Sequence, residues 1–196
     1  DLVTSYYRRY ERINFKNGKV SLLSPYDSLI KTYSASIGWD WRLLASLIYQ
    51  ESKFSMSARS VKGAHGLMQI RNATAKQFNI EDLYDPEQNI KAGTLMIKRL
   101  MGLFDNPEID SLNRVKFVLA AYNAGEGRVD DIRNFAQHMG VNHNMWDSTK
   151  VVLGQMKKSD KLPEGLLKLG SFKGTETVRF VDDIISRYEN YKELVK

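Results

Sequence analysis

The chain has 196 residues, 42% of them hydrophobic and 27% charged, which admits one globular domain with a real core, or one domain plus an appendage. It has no cysteine, so a disulfide framework and a thiolate metal site are both excluded. The net charge of +6 is scattered rather than run together, which fits attraction to an anionic partner better than a dedicated nucleic-acid groove.

No apolar run approaches the roughly eighteen residues needed to span a bilayer, so no transmembrane segment is expected. His65, His138 and His143 show no HExxH spacing and no carboxylate cluster, so neither a metal nor a cofactor is expected. The sequence opens on Asp1 without a signal peptide and reads as a mature form or an excised fragment.

In chain order, residues 1–20 are polar and aromatic with an Asn17-Gly18 turn signal, consistent with a tether, a hairpin or the tail of a preceding domain. Ser24 and Pro25 read as N-cap and first residue of a helix running to about Ile37 and ended by Gly38. Asp40 is a good N-cap for the next helix, to about Lys53, because its side chain can accept from the free amides of the first turn. Residues 55–70 are rich in Ser, Gly, Ala and Lys and predict an irregular loop with at most a small β-hairpin around Gly66-Leu67-Met68-Gln69-Ile70. Asn72 predicts the cap of a short helix over 73–78.

Asp85-Pro86 starts a longer helix whose apolar positions are Ile90, Leu95, Met96, Ile97, Leu100, Met101 and Leu103, with Gly93 available for close helix contact. Leu112 to Asn123 follows, with Val115, Val118, Leu119 and Tyr122 on one face and Gly125 as C-cap. Further helices are expected over about 129–138 and 146–157, then a loop over Lys158–Gly174. A last helix from Glu176 or Thr177 to about Leu194 buries Val181, Ile184, Ile185, Tyr188 and Tyr191. The sum is a mainly α domain of six to eight helices.

One residue breaks the pattern. Leu44, Leu47, Ile48 and Glu51 recur at helical spacing, so an acid shares a face with three core residues. Partial burial disfavours its charged form, and so does the negative end of the helix dipole. A carboxyl kept protonated near neutral pH is suited to general acid catalysis. The competing structural reading is an ion-paired or half-exposed glutamate. Tyr122 occupies the same kind of place on its own helix, where a tyrosine is commonly a core residue with its hydroxyl tied off.

Taken together, Glu51-Ser52, then Gly63-x-x-Gly66-Leu67-Met68-Gln69-Ile70, then Ala121-Tyr122-Asn123-Ala124-Gly125, in this order and spacing, resemble the soluble lytic transglycosylase (SLT) family over about residues 38–190. Asp85-Pro86 with Asn89-Ile90 and Gly93 agrees, as does Glu176-Thr177 at the last helix. The wording around these motifs is most similar to the branch of membrane-bound lytic murein transglycosylases F. The resemblance implies a lysozyme-like fold and cleavage of the β-1,4 bond between N-acetylmuramic acid and N-acetylglucosamine in peptidoglycan glycan strands. It implies 1,6-anhydro product ends and Glu51 as the single catalytic acid/base.

It also implies Ser60, Gly63, Gly66, Met68, Gln69, Tyr122, Asn123 and Glu176 as substrate-binding residues. Glu176 could equally be an acid favoured by the positive end of its helix. The implied organisation is a linker, or end of a missing domain, at 1–24 and a catalytic domain at 25–196. The missing part would be an exported domain like a solute-binding protein, and the location the periplasm, attached to the outer membrane. Two features depart from the family pattern: Asn72 stands where many members have proline, and the chain has its own loop at Lys158–Gly174. The alternatives are a goose-type lysozyme hydrolase, which needs a second carboxylate to activate water, a catalytically silent peptidoglycan-binding module, and a nucleic-acid binder.

Overall fold

The computed structural model describes residues 15–16, 19–20, 22–156, 162–170 and 174–195. Among these the architecture is mainly α, as expected, with eight helices and two short antiparallel strand pairs. In the first pair β1 (Phe15–Lys16) meets β2 (Lys19–Val20), with Phe15 opposite Val20. Of the three readings open for residues 1–20, the hairpin describes these four; residues 1–14 lie outside the described residues. The other elements are α1 (Asp27–Ser36), α2 (Trp41–Ser52), β3 (Ala64–His65), β4 (Ile70–Arg71), α3 (Asn72–Gln77), α4 (Pro86–Leu103), α5 (Ser111–Ala124), α6 (Glu126–His138), α7 (Trp146–Met156) and α8 (Thr175–Leu194).

The chain forms two compact units, one ending at Thr94 and resuming at Ile184, the other Leu95–Asp183. In the first, α1 packs on α2, and Leu44, Leu47 and Ile48 are fully buried on the face predicted for them. Asp40 caps α2 as expected, accepting from the Arg42 amide at 2.9 Å. Its carboxylate also accepts from the Arg42 guanidinium at 2.6 Å and from the Tyr188 hydroxyl at 3.2 Å. The start of α1 lies two residues beyond the expected Pro25. Asp27 explains this: its carboxylate accepts from the amides of Leu23 and Ser24, both at 2.8 Å, and from the Ser24 hydroxyl at 2.7 Å. The turn is closed by the acid reaching back rather than by serine alone, a reciprocal cap.

In the second unit α5 packs on α6, α6 on α7, and α5 on α7. Phe104 and Phe117 stack with centroids 5.7 Å apart, and Trp146 meets Phe117 edge-on at 5.8 Å. A second cluster, Ile132, Phe135, Ala136, Val152, Leu153 and Met156, is closed by Leu162, Leu166 and Leu167 of the segment 162–170, which is irregular as expected. That segment is tied down by Asp131, fully buried, whose two oxygens accept from the amides of Lys168 and Leu169 at 2.7 and 2.8 Å.

Two other expectations need correcting. Leu103, assigned to the buried side of α4, is exposed in the last residue of that helix, where Phe104 beyond it takes the core position. Asn72 is the first residue of α3 rather than its cap; Arg71, the last residue of β4, stands at the cap with no side-chain hydrogen bond, since a guanidinium has no acceptor to offer the free amides.

Asp40 generates a prediction. Hydrogen bonds and the Arg42 guanidinium hold its carboxyl below the usual carboxylate range. A lowered folded-state pKa means that its stabilisation is present above the unfolded value and is lost as pH falls through the folded one. Asp40→Ala is expected to cost about 0.5–2 kcal/mol in chemical denaturation at pH 7, with the gap to wild type closing below about pH 4.

Candidate functional site

Glu51 lies in the last turn of α2, on the same face as Leu44, Leu47 and Ile48. The residue as a whole is half-buried, but its carboxyl lies deep enough that burial pushes its pKa up to about 7. Burial is the cause of the shift: among the described residues no ion pair or donor offsets it. Its neighbours are tied down. The Ser52 hydroxyl donates to the Ile48 carbonyl at 3.1 Å, and the Lys53 amide to the Tyr49 carbonyl at 2.9 Å. The helix then leaves through Lys53 and Phe54, both left-handed with φ of 53° and 59°, a conformation that is an outlier for bulky residues.

The segment after α2 folds back as the expected small hairpin. Ala64 pairs with Arg71, His65 with Ile70, and a bridge joins Arg59 to His65. Ser60 builds the turn that leads into β3: its hydroxyl accepts from the Ala64 amide at 3.0 Å, and its carbonyl from the Gly63 amide at 3.0 Å. Gly63 is exposed, in a left-handed turn with open space around it. Gly66 is also left-handed, but buried; a Cβ there would fall 2.2 Å from Asn89 Nδ2 and 2.7 Å from Met56 Cε. Gln69, half-buried, donates through Nε2 to the carbonyls of Ala58 and Gly66 at 3.2 and 3.0 Å, so its amide closes the turn.

Met68, one of the implied substrate-binding residues, is fully buried, and Gly93 leaves space for it: a Cβ on Gly93 would meet its sulfur at 2.2 Å. Gly93 therefore serves close contact with a side chain of the hairpin, where contact with another helix was expected. Asn89, fully buried on α4, holds the arrangement together. Its Oδ1 accepts from the Met68 amide at 2.9 Å, and its Nδ2 donates to the carbonyls of His65 and Leu83 at 3.0 and 2.9 Å. Sequence reasoning noted Asn89 only as part of a motif. Its place one residue before the buried Ile90, on the side of α4 that also carries Gly93, was the available signal.

The remaining candidates lie in the second unit. Tyr122 is half-buried and Asn123 exposed in the last turn of α5, which ends at Gly125 with φ of 91°. Asn123 Oδ1 accepts from the buried Thr177 hydroxyl at 2.8 Å, a partnership that the sequence did not reveal. Glu176 is exposed in the first turn of α8.

A family model described as the transglycosylase SLT domain matches residues 28–144. The chain belongs to this family. The SLT match takes in Glu51, the whole hairpin, Asn89, Tyr122 and Asn123, and stops short of Glu176. A membrane-bound lytic murein transglycosylase F of Desulfosudis oleivorans is 37% identical over 165 residues, covering 84% of this chain and 36% of the relative. A protein of the same name from Shewanella woodyi is 33% identical over 190 residues, covering 94% of this chain and 38% of its own length. The chain thus spans little more than a third of these curated relatives. Among solved structures, the 70 kDa soluble lytic transglycosylase SLT70 of Escherichia coli is similar at a TM-score of 0.59 and 25% identity, over 86% of this chain and 24% of that one.

The hairpin anchor is directly testable. Asn89→Leu strands the Met68 amide and the His65 and Leu83 carbonyls, and each buried unpaired group is worth about 1–3 kcal/mol. Thermal unfolding is expected to show a loss of at least about 3 kcal/mol, against under about 0.5 kcal/mol for an exposed control such as Lys62→Ala.

Proposed function

We propose that this chain is the catalytic domain of a peptidoglycan lytic transglycosylase, with Glu51 as its one acid/base. The observation that carries the reading is a carboxyl raised to about 7 by burial alone, at the end of a helix followed by a glycine-bearing hairpin. Family membership and the names of the relatives support it. The bond cleaved is the β-1,4 link between N-acetylmuramic acid and N-acetylglucosamine.

Near neutral pH a large fraction of Glu51 carries its proton. It gives that proton to the glycosidic oxygen as the bond from that oxygen to the anomeric carbon breaks, so the leaving sugar departs as a neutral alcohol. The 2-acetamido group of the muramic sugar stabilises the positive anomeric carbon. Glu51, now an anion, takes the proton of the C6 hydroxyl as that oxygen bonds to the anomeric carbon. The ring closes as a 1,6-anhydro sugar, the carboxyl is again protonated, and no water is consumed. The two steps are sequential, so one carboxyl serves where a hydrolase needs two.

The other roles are those that the family resemblance implies, adjusted to where each side chain lies. Ser60 and the exposed Gly63 backbone approach the sugar, while Gly66 and Gln69 hold the shape of the turn. Met68 contributes by packing. Tyr122 orients the 2-acetamido group of the sugar through its hydroxyl, and Asn123 and Glu176 contact substrate, as the family resemblance implies. Residues 1–24 are read as a connection and 25–196 as the catalytic domain. In the longer protein a preceding domain like a solute-binding protein, and a periplasmic location at the outer membrane, are proposed. No helix among the described residues is long and apolar enough to cross a membrane.

The deciding experiment is mass spectrometry of the soluble fragments released from purified sacculi. Products one water lighter than those of a muramidase are expected, and Glu51→Gln is expected to slow their release by about 10²–10⁴. Hydrated products would assign the chain to the hydrolases, and release unaffected by the substitution would remove Glu51 from the mechanism. The substitution also has a stability signature. A raised folded-state pKa makes the ionised wild type lose stability as pH rises from the ordinary glutamate value through about 7. Glu51→Gln is therefore expected to unfold at higher denaturant than wild type at pH 8, with the difference shrinking by pH 5.

A further inference from the structure

The exit of α2 is the most strained backbone near Glu51, and the packing around one ring accounts for its persistence. Lys53 and Phe54 are consecutive left-handed residues, and neither is glycine. Such a pair persists only where the surroundings over-determine it. The surroundings converge on Tyr49, which is buried. The Lys53 ammonium lies 4.6 Å from the centre of its ring, the Phe54 ring meets it edge-on at 5.7 Å, and the Arg187 guanidinium of α8 lies 4.4 Å from the ring centre. Both left-handed residues thus place their side chains on Tyr49. Arg187, in the same compact unit, also donates to Gln50 Oε1 at 3.1 Å and to the Ser46 carbonyl at 3.5 Å. Residues on both sides of Glu51 are fixed, while among the described residues no ion pair or hydrogen bond to its own carboxyl accompanies its burial.

We propose that Arg187 and Tyr49 are positioning residues that set the direction of the Glu51 side chain by locking the left-handed exit of α2. The inference rests on the reading of Glu51 as proton donor. The charged groups on this ring include Lys53, on the exit of α2 itself, and Arg187, on α8. Neither contributes to the raised pKa of Glu51, whose cause is burial. Two roles for Arg187 therefore differ in sign. If it acted on Glu51 as a charge, its removal would raise the pKa further. If it acts by holding the exit, its removal lets the carboxyl turn toward water and the pKa falls.

The test is a carbon-13 titration of the glutamate side chains in the 196-residue chain, compared across variants. Arg187→Met and Tyr49→Leu are expected to lower the Glu51 midpoint by one unit or more, whereas Arg187→Lys and Tyr49→Phe, which keep a cation and a ring, leave it near the wild-type value. In parallel, kcat on purified glycan is expected to fall roughly 10–100-fold in the first pair with little change in KM, as for a misplaced catalytic group. An unchanged midpoint in both Arg187→Met and Tyr49→Leu would overturn the proposal, and so would a rise in Arg187→Met. Should Arg187→Met fail to fold, Arg187→Gln removes the cation while keeping a donor for Gln50, and carries the same expectation. The titration needs no substrate, so an inactive wild type would count against the proposed reaction and leave the clamp to be judged by the midpoints alone.

Discussion

A carboxyl taken out of water without a counter-charge is the interaction on which the rest of this molecule depends. Solvation of an ionised carboxylate is so favourable that burial shifts its pKa before it unfolds the protein. At Glu51 burial acts alone, and the value rises to about 7. Had an arginine been placed beside it, as Arg42 is beside Asp40, the shift would have run the other way. The two acids at the two ends of α2 thus show one principle with opposite sign. Asp40 is stabilised as an anion at the N-terminus; Glu51 ionises only near neutral pH at the C-terminus.

The hairpin that follows α2 is held by a polar framework of its own. Asn89 holds the Met68 amide and two carbonyls, Gly66 makes room for the Asn89 side chain, and Gly93 makes room for Met68. These contacts interlock, so a side chain added at either glycine collides with a partner that is itself fixed. That makes the hairpin a shaped support in spite of having only two residues in each strand. In the second unit Asp131 and the Asn123–Thr177 bond play the equivalent part for the loop at 162–170 and for the end of α5.

Much of this was legible in the sequence because the signals were local. Asp40 marked the start of α2, the spacing of Leu44, Leu47, Ile48 and Glu51 marked its buried face, and the glycines at 63 and 66 marked the hairpin. The errors share a different origin. Asp27 moved the start of α1 by a reciprocal hydrogen bond that a cap rule read from Ser24 and Pro25 alone overlooks. Met68 is given as substrate-binding by the family resemblance, but its buried place depends on Gly93, twenty-five positions away in the chain. The contact of Arg187 with Gln50 spans 137 positions, far beyond any periodicity. Periodic patterns report which face of an element is buried; they do not report what covers it.

The central claim is that a single acid, protonated through burial, starts the reaction, and the pH dependence of kcat/KM on purified glycan strands tests it most directly. The account predicts activity that is high below neutrality and falls as pH rises through about 7, with one ionisation and in step with Glu51. Activity that instead rises through the ordinary glutamate range and stays level into alkaline pH would contradict it, since the working form would then be the anion.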